Sequence, residues 1–195
     1  LLTEHLNRWQ RSATILGMAS PPTSTWLRPL IQQAINRVSL EKGNGAIRLN
    51  WSRGANQNRG LNIPNGNLEE SSHVFWFELN VIEPNFQTLS TKISRHERRN
   101  ANSRLSHCKT FAYNQSVSAR QEAKSEGYDD ALLLSTSGEI CCGTTANLII
   151  KRNNQWITPP LRSGCLPGIM RQQGINAGII KEATVSSKPQ KEDQW

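Results

Sequence analysis

The chain has 195 residues, of which 36% are hydrophobic and 19% charged, and 23 Lys and Arg against 15 Asp and Glu give a net charge of +8. That length suffices to bury a core and fits one domain or two small ones. No apolar run approaches the roughly 20 residues a membrane helix needs. No basic, apolar, small-residue leader opens the sequence, so a soluble, cytoplasmic protein is expected, with the chain a fragment if the absent initiator Met means a missing start.

In chain order, residues 3–18 place Leu6, Trp9, Ala13 and Leu16 at helical spacing, with Thr3 available as a cap. After Ser20-Pro21-Pro22, residues 25–42 repeat that pattern, and Pro29 falls near the start, where amides lack intrahelical partners. Residues 46–53 and 73–82 are rich in strand formers. Glu83-Pro84-Asn85 suggests a boundary, dividing an N-terminal α/β domain over 1–84 from a C-terminal domain over 85–195.

The second half opens on a basic, extended stretch from Lys92 to Lys109. Such charge favours anionic partners, yet the stretch has neither the Gly/aromatic pattern of an RNA-binding sheet nor zinc-finger spacing, so no nucleic acid is expected. A helix over 113–126 should end at Gly127. Short antiparallel strands follow over 131–135, 140–142 and 147–152, with turns at Ser137-Gly138 and Asn153-Asn154, then a loop from Thr158 and a last helix over 169–177. The fold class expected is α+β. Cys108, Cys141, Cys142 and Cys165 contain no CxxC pair, so free thiols and no metal site are expected.

Lys109 stands between an extended segment and a helix, beside Cys108 and after several cations. An amine that attacks a carbonyl must be neutral, and burial or nearby cations favour that form. By itself this is a weak signal, since most lysines are simply exposed. The surroundings add to it. Lys109-Thr110-Phe111-Ala112-Tyr113, Ala119-Arg120-Gln121-Glu122-Ala123 and Gly127-Tyr128-Asp129-Asp130-Ala131-Leu132-Leu133-Leu134 form one block. Ser137-Gly138-Glu139-Ile140 with Gly143-Thr144-Thr145-Ala146-Asn147-Leu148 forms a second, and Thr158-Pro159-Pro160-Leu161 with Gly164-Cys165-Leu166-Pro167-Gly168-Ile169-Met170-Arg171 a third. In content, order and spacing these resemble the lysine, turn-and-strand and phosphate-loop blocks of class IV aminotransferases. More loosely, Glu4-His5-Leu6-Asn7-Arg8 resembles the family's first helix, and Ser52-Arg53-Gly54 and Arg59-Gly60 its Arg-Gly loop.

The resemblance implies a two-domain fold-type IV enzyme with pyridoxal 5'-phosphate between the domains, acting as a homodimer. Lys109 would carry the cofactor and serve as the catalytic base. Arg8 and the backbone amides of Ile169 and Met170 would hold the phosphate, and a helix N-terminus is a ready anion site. Tyr113 would bond the ring hydroxyl oxygen. Arg59, with Arg53 as the alternative, would grip a substrate carboxylate, while Thr144, Thr145 and Asn147 would line the site. The ordinary alternatives are a surface arginine for Arg8, a structural one for Arg53 and a core tyrosine for Tyr113.

The sequence departs from the family twice. Cys142 stands where most members have the glutamate that pairs with the pyridine nitrogen, and Glu139, an odd number of residues away on a strand, is a poor substitute. Members also begin with a strand before the first helix and continue past the phosphate loop, so the chain looks truncated at both ends. Gly168-Ile169-Met170-Arg171-Gln172 and Arg59-Gly60 resemble the family's aminodeoxychorismate lyases, which make 4-aminobenzoate and pyruvate in folate synthesis, more than its branched-chain or D-amino acid transaminases. A non-catalytic protein of this fold remains the other alternative.

Overall fold

The computed structural model describes residues 1–40, 42–54, 59, 72–188 and 190–194. The chain forms two compact units, Leu1–Gln87 and Thr88–Trp195.

The first unit holds α1 (Leu2–Ile15), α2 (Ser24–Arg37), β1 (Asn44–Ser52) and β2 (Val74–Ile82). The strands pair antiparallel from Asn44↔Ile82 to Ser52↔Val74 without a register break. Residues two apart share a sheet face, so Phe75 and Phe77 lie side by side, 6.0 Å between ring centroids. Phe75 meets Trp26 edge-on at 5.2 Å and Trp9 at 6.2 Å, which ties β2 to both helices. Two sequence expectations change. α1 begins at Leu2 with no side-chain cap, so Thr3 falls inside its first turn. Thr23 caps α2 by accepting from the Trp26 amide, which starts that helix early enough that Pro29 lies beyond the first turn and leaves the Thr25 carbonyl without its helical donor.

The second unit contains β3 (Thr91–Arg99), α3 (Asn114–Ser125), β4 (Asp130–Ser135), β5 (Ile140–Gly143), β6 (Ile150–Arg152), β7 (Gln155–Thr158), α4 (Ile169–Asn176), β8 (Ile180–Glu182) and β9 (Asp193–Gln194). These build one sheet ordered β3-β4-β5 and another ordered β8-β7-β6-β9. The strands are not all antiparallel as expected: β3 runs parallel to β4 and β7 to β8, because α3 and α4 carry the chain back between them. The expected strand over 147–152 shortens to β6, while β8 and β9, too short to show a periodicity, went unseen in the sequence. The Asn153-Asn154 turn does form, both residues taking positive φ (47° and 63°), as a tight two-residue hairpin requires.

α3 ends at Gly127, whose φ of 85° admits the paired closing bonds Tyr128 N to Ala123 O and Gly127 N to Lys124 O. Its buried Ala119 and Ala123 pack on Ala131 and Leu133 of β4, together with Cys141, Cys142 and Cys165. A second cluster, Leu134, Ile140, Ile150, Ile157 and Val185, joins the two sheets.

Part of the basic stretch is used structurally. Glu122 on α3 accepts from the Arg95 amide (3.0 Å) and the Ser94 hydroxyl (2.7 Å), and Lys92 Nζ lies 3.2 Å from it and 2.7 Å from Glu126. The Arg95 amide, then Ser94 and Lys92, hold the Glu122 carboxyl down at about 2, against an ordinary 4.5. A depressed folded-state value stabilises the fold above pH 4.5 and loses that contribution as pH falls toward 2. Glu122→Gln is therefore expected to lower stability at neutral pH and to flatten the acid limb of a denaturation series between those two values. An acid limb identical to wild type would show that Glu122 carries no such linkage.

Candidate functional site

In the second unit the segment before Lys109 is fixed by short-range chemistry. Ser103 caps a 3-10 turn, Arg104–His107, by accepting from the Leu105 amide at 3.2 Å, and Ser106 Oγ donates to Asn100 O at 2.7 Å. Arg99, at the end of β3, donates to Ser106 O (3.0 Å) and Gly164 O (3.2 Å), while His107 Nε2 donates to Leu161 O (3.0 Å). The turn is thus stitched to the loop leading to α4. Lys109 emerges exposed at the end of this turn, and its Nζ donates to the Tyr113 hydroxyl, 5.1 Å from that ring's centroid. Tyr113 occupies the N-cap position of α3, so the four-residue spacing brings the amine and the phenol together.

The turn after β5 is held from behind. Gly143 N bonds Ala146 O at 2.9 Å, and Cys142 bridges to Asn147. Thr144 is buried, and its hydroxyl donates to Asp130 Oδ1 at 2.6 Å, an oxygen that also receives Arg120 Nε at 3.1 Å. Burial opposes ionisation of Asp130, but Arg120 and Thr144 outweigh it and keep the carboxyl below its usual value. Thr144 therefore anchors the turn with its hydroxyl, and the exposed Thr145 is the one whose side chain faces solvent. Asp130, Arg99 and His107 were missed in the sequence. The paired acids Asp129-Asp130 at a strand start were the only visible signal, whereas Arg99 and His107 each rely on a contact more than fifty residues away, Gly164 O and Leu161 O.

Asn147 Nδ2 donates to Leu166 O at 2.9 Å. A Cβ on Gly168 would stand 1.9 Å from Asn147 Oδ1, so any other residue would have to displace the Asn147 side chain from its bond to Leu166 O. Gly168→Ala is expected to destabilise the fold by about 1–3 kcal/mol, the usual range for overpacking. An unchanged thermal midpoint would show that the loop yields freely. Gly168 is the N-cap of α4 and offers no side-chain cap. Ile169 is buried and Met170 exposed in the first turn, where amides have no intrahelical acceptor and the helix dipole is positive.

Cys142 is buried on β5, opposite Leu133. Glu139 is committed elsewhere, accepting from Ser163 Oγ at 2.8 Å. In the first unit Arg8 is half-buried on α1, with Nη2 3.5 Å from His5 Nδ1. Arg53 has its guanidinium on the Gly17 (3.0 Å) and Leu16 carbonyls, closing the C-terminal end of α1. These contacts match the structural alternative for Arg53. Arg59 is exposed, and Gly60 lies outside the described residues.

The family described as amino-transferase class IV matches residues 1–189. The chain belongs to this family. Among relatives of this class IV aminotransferase chain, a probable branched-chain-amino-acid aminotransferase of Rickettsia bellii is 31% identical over 189 residues, 93% of this chain and 62% of that protein. A candidate aminodeoxychorismate lyase of Schizosaccharomyces pombe is 26% identical over 184 residues, covering 93% of this chain and 70% of that one. The chain thus spans less than two thirds of the Rickettsia relative. In fold it matches a candidate 4-amino-4-deoxychorismate lyase from Legionella pneumophila with a TM-score of 0.81 at 24% identity, over 95% of this chain and 68% of the other. It also matches the Escherichia coli branched-chain amino acid aminotransferase, with a TM-score of 0.80 at 24% identity over 94% of this chain and 62% of the other. The mixed α/β fold is therefore that of fold-type IV aminotransferases.

Pyridoxal 5'-phosphate is the cofactor of this family, and three features of the second unit fit it. Lys109 presents an amine against a phenol, α4 opens without a side-chain cap, and Gly168 keeps its backbone bare. Cys142, at the position where the resemblance expects a carboxylate, supplies only a weakly polar thiol.

Proposed function

We propose that this protein is a pyridoxal phosphate-dependent lyase that converts 4-amino-4-deoxychorismate to 4-aminobenzoate and pyruvate, in the cytoplasm and as a homodimer. The observation that carries the reading is the Lys109–Tyr113 pair in the same unit as the uncapped start of α4. The lyase choice is supported by the Gly168-to-Gln172 wording and by the names of the fission-yeast and Legionella relatives.

When bound, the cofactor withdraws electrons from the carbon that bears the substrate amine. The α4 amides of Ile169 and Met170, with Arg8 by resemblance, bind the phosphate. Tyr113 holds Lys109 Nζ in place, and Nζ removes the proton from the amine-bearing ring carbon. Arg59 grips a substrate carboxylate, and Thr145 offers a second donor. Loss of the enolpyruvyl group then aromatises the ring. Because aromatisation supplies driving force, this reaction tolerates the weak Cys142 partner better than a reversible transamination would.

The test is 4-aminobenzoate release from 4-amino-4-deoxychorismate by the full chain supplied with pyridoxal phosphate, beside transamination of branched-chain and D-amino acids. Release of 4-aminobenzoate supports the lyase. Transamination alone would install the second reading, which the Rickettsia relative favours, and neither activity would leave a non-catalytic protein of this fold.

A further inference from the structure

Beside the turn that follows β5 lies a carboxylate with no part in the chemistry described above. Leu132 faces Gly143 and Leu133 faces Cys142 in the β4–β5 register, so Asp130, two residues before Leu132, falls across from that turn. Its Oδ1 gathers donors from the turn, from β4 and from α3: the Thr144 hydroxyl at 2.6 Å, the Ala131 amide at 2.8 Å and Arg120 Nε at 3.1 Å. Its Oδ2 stands beside Gly143, 3.7 Å from where a Cβ would lie. We propose that Asp130 is a positioning residue for the substrate: acting through the Thr144 hydroxyl, it sets the pose of the turn over 143–146 and thereby the direction in which Thr145 meets the ligand, with Arg120 offsetting its charge. Only in taking this turn to meet substrate does the role rest on the reading above.

An ionised carboxylate can only accept, so the Thr144 hydroxyl must donate, and 2.6 Å is the length of a charge-assisted O–H···O⁻ bond. Burial opposes the charge on Asp130, and Arg120, Thr144 and the Ala131 amide outweigh it, so the hydroxyl keeps an anionic acceptor. Gly143 N bonds Ala146 O at 2.9 Å and Cys142 bridges to Asn147, which leaves Thr144 and Thr145 at the tip. Each residue has two soft backbone dihedrals, and a tip of two residues closed at its base has little freedom once one side chain is pinned inward. Thr144 is the pinned residue, 5% exposed, and Thr145 beside it is exposed.

The three bonds divide the work. The Ala131 amide and Arg120 brace the start of β4 against α3, whereas the Thr144 bond serves the turn. The Asp130 side chain is 13% exposed, and without Arg120 a largely buried, unpaired negative charge would sit behind a turn that faces, in the proposed reaction, a substrate bearing carboxylates. As an ion pair, Asp130 and Arg120 hold the tip without making it acidic.

The experiment measures KM and kcat on whichever amine substrate the full chain supplied with pyridoxal phosphate turns over, and hydrogen exchange at the Gly143 amide without cofactor. Asp130→Ala and Thr144→Val are each expected to raise KM at least about tenfold, equivalent to about 1.4 kcal/mol of binding, with kcat held within about twofold. The double variant is expected to be no worse than Thr144→Val alone, because Asp130 acts through that hydroxyl, and Thr144→Ser to stay near wild type. Exchange at Gly143 should quicken in both single variants and no further in the double one. Losses that multiply in the double variant, a fall in kcat at unchanged KM, or a wild-type KM in Thr144→Val overturns the proposal. If Asp130→Ala fails to fold, Thr144→Val against Thr144→Ser decides. If wild type turns over neither class of substrate, the functional reading fails and Gly143 exchange decides: quickened exchange upholds Asp130 as the anchor of the turn, and unchanged exchange overturns it.

Discussion

Lys109→Ala abolishes both cofactor attachment and turnover, on the mechanism proposed. Wild-type protein supplied with pyridoxal phosphate should show a band at about 410–420 nm, as lysine-bound forms of this cofactor do, and the variant should lack it. The amine is held in place, since Nζ rests on the Tyr113 hydroxyl just after a turn fixed by Arg99 and His107. A loss of at least about a thousandfold in rate is expected, because both the covalent anchor and the proton-moving base go with one group. The variant should keep its thermal midpoint, as Lys109 is exposed. A band of equal strength in both proteins would remove Lys109 from the chemistry.

The second large effect is expected from Cys142→Glu. The position is buried, and a carboxylate placed there without a partner costs on the order of several kcal/mol or takes up a proton instead. Without cofactor the variant should therefore melt below wild type. With pyridoxal phosphate the new carboxyl group gains the ring nitrogen as its partner, and the variant should recover more of its midpoint than wild type gains. Transamination should rise while 4-aminobenzoate release stays level, since only the reversible reaction has to reprotonate the cofactor carbon. Loss of both activities together with an unrecovered midpoint would show that Cys142 does not face the ring nitrogen.

Much of the fold was legible in the sequence because it rests on local rules. The apolar spacing of α1 and α2, the glycine that closes α3 and the Asn153-Asn154 hairpin all depend on residues within a few positions of each other. Less legible was what non-local contacts decide. Nothing near Thr91 announces that β3 pairs parallel with a strand beyond α3, and three residues of β8 are too few for a pattern. The candidate site divides in the same way. Its lysine, tyrosine and helix start stand out as blocks, whereas the partners of Arg53 and Thr144 are side chains and carbonyls that only the folded chain brings near.

Arg99 holds two loops with one planar group, reaching Ser106 O in the turn before the lysine and Gly164 O in the loop before α4. A shift of either loop bends the other's bond, so on the site proposed here an anion held at α4 would be felt in the turn that aims Lys109. Lysine in place of Arg99 would keep the charge but not the fork. The two loops would then keep the His107–Leu161 bond but lose the shared fork, and each would answer more of its own ligand and less of the other's.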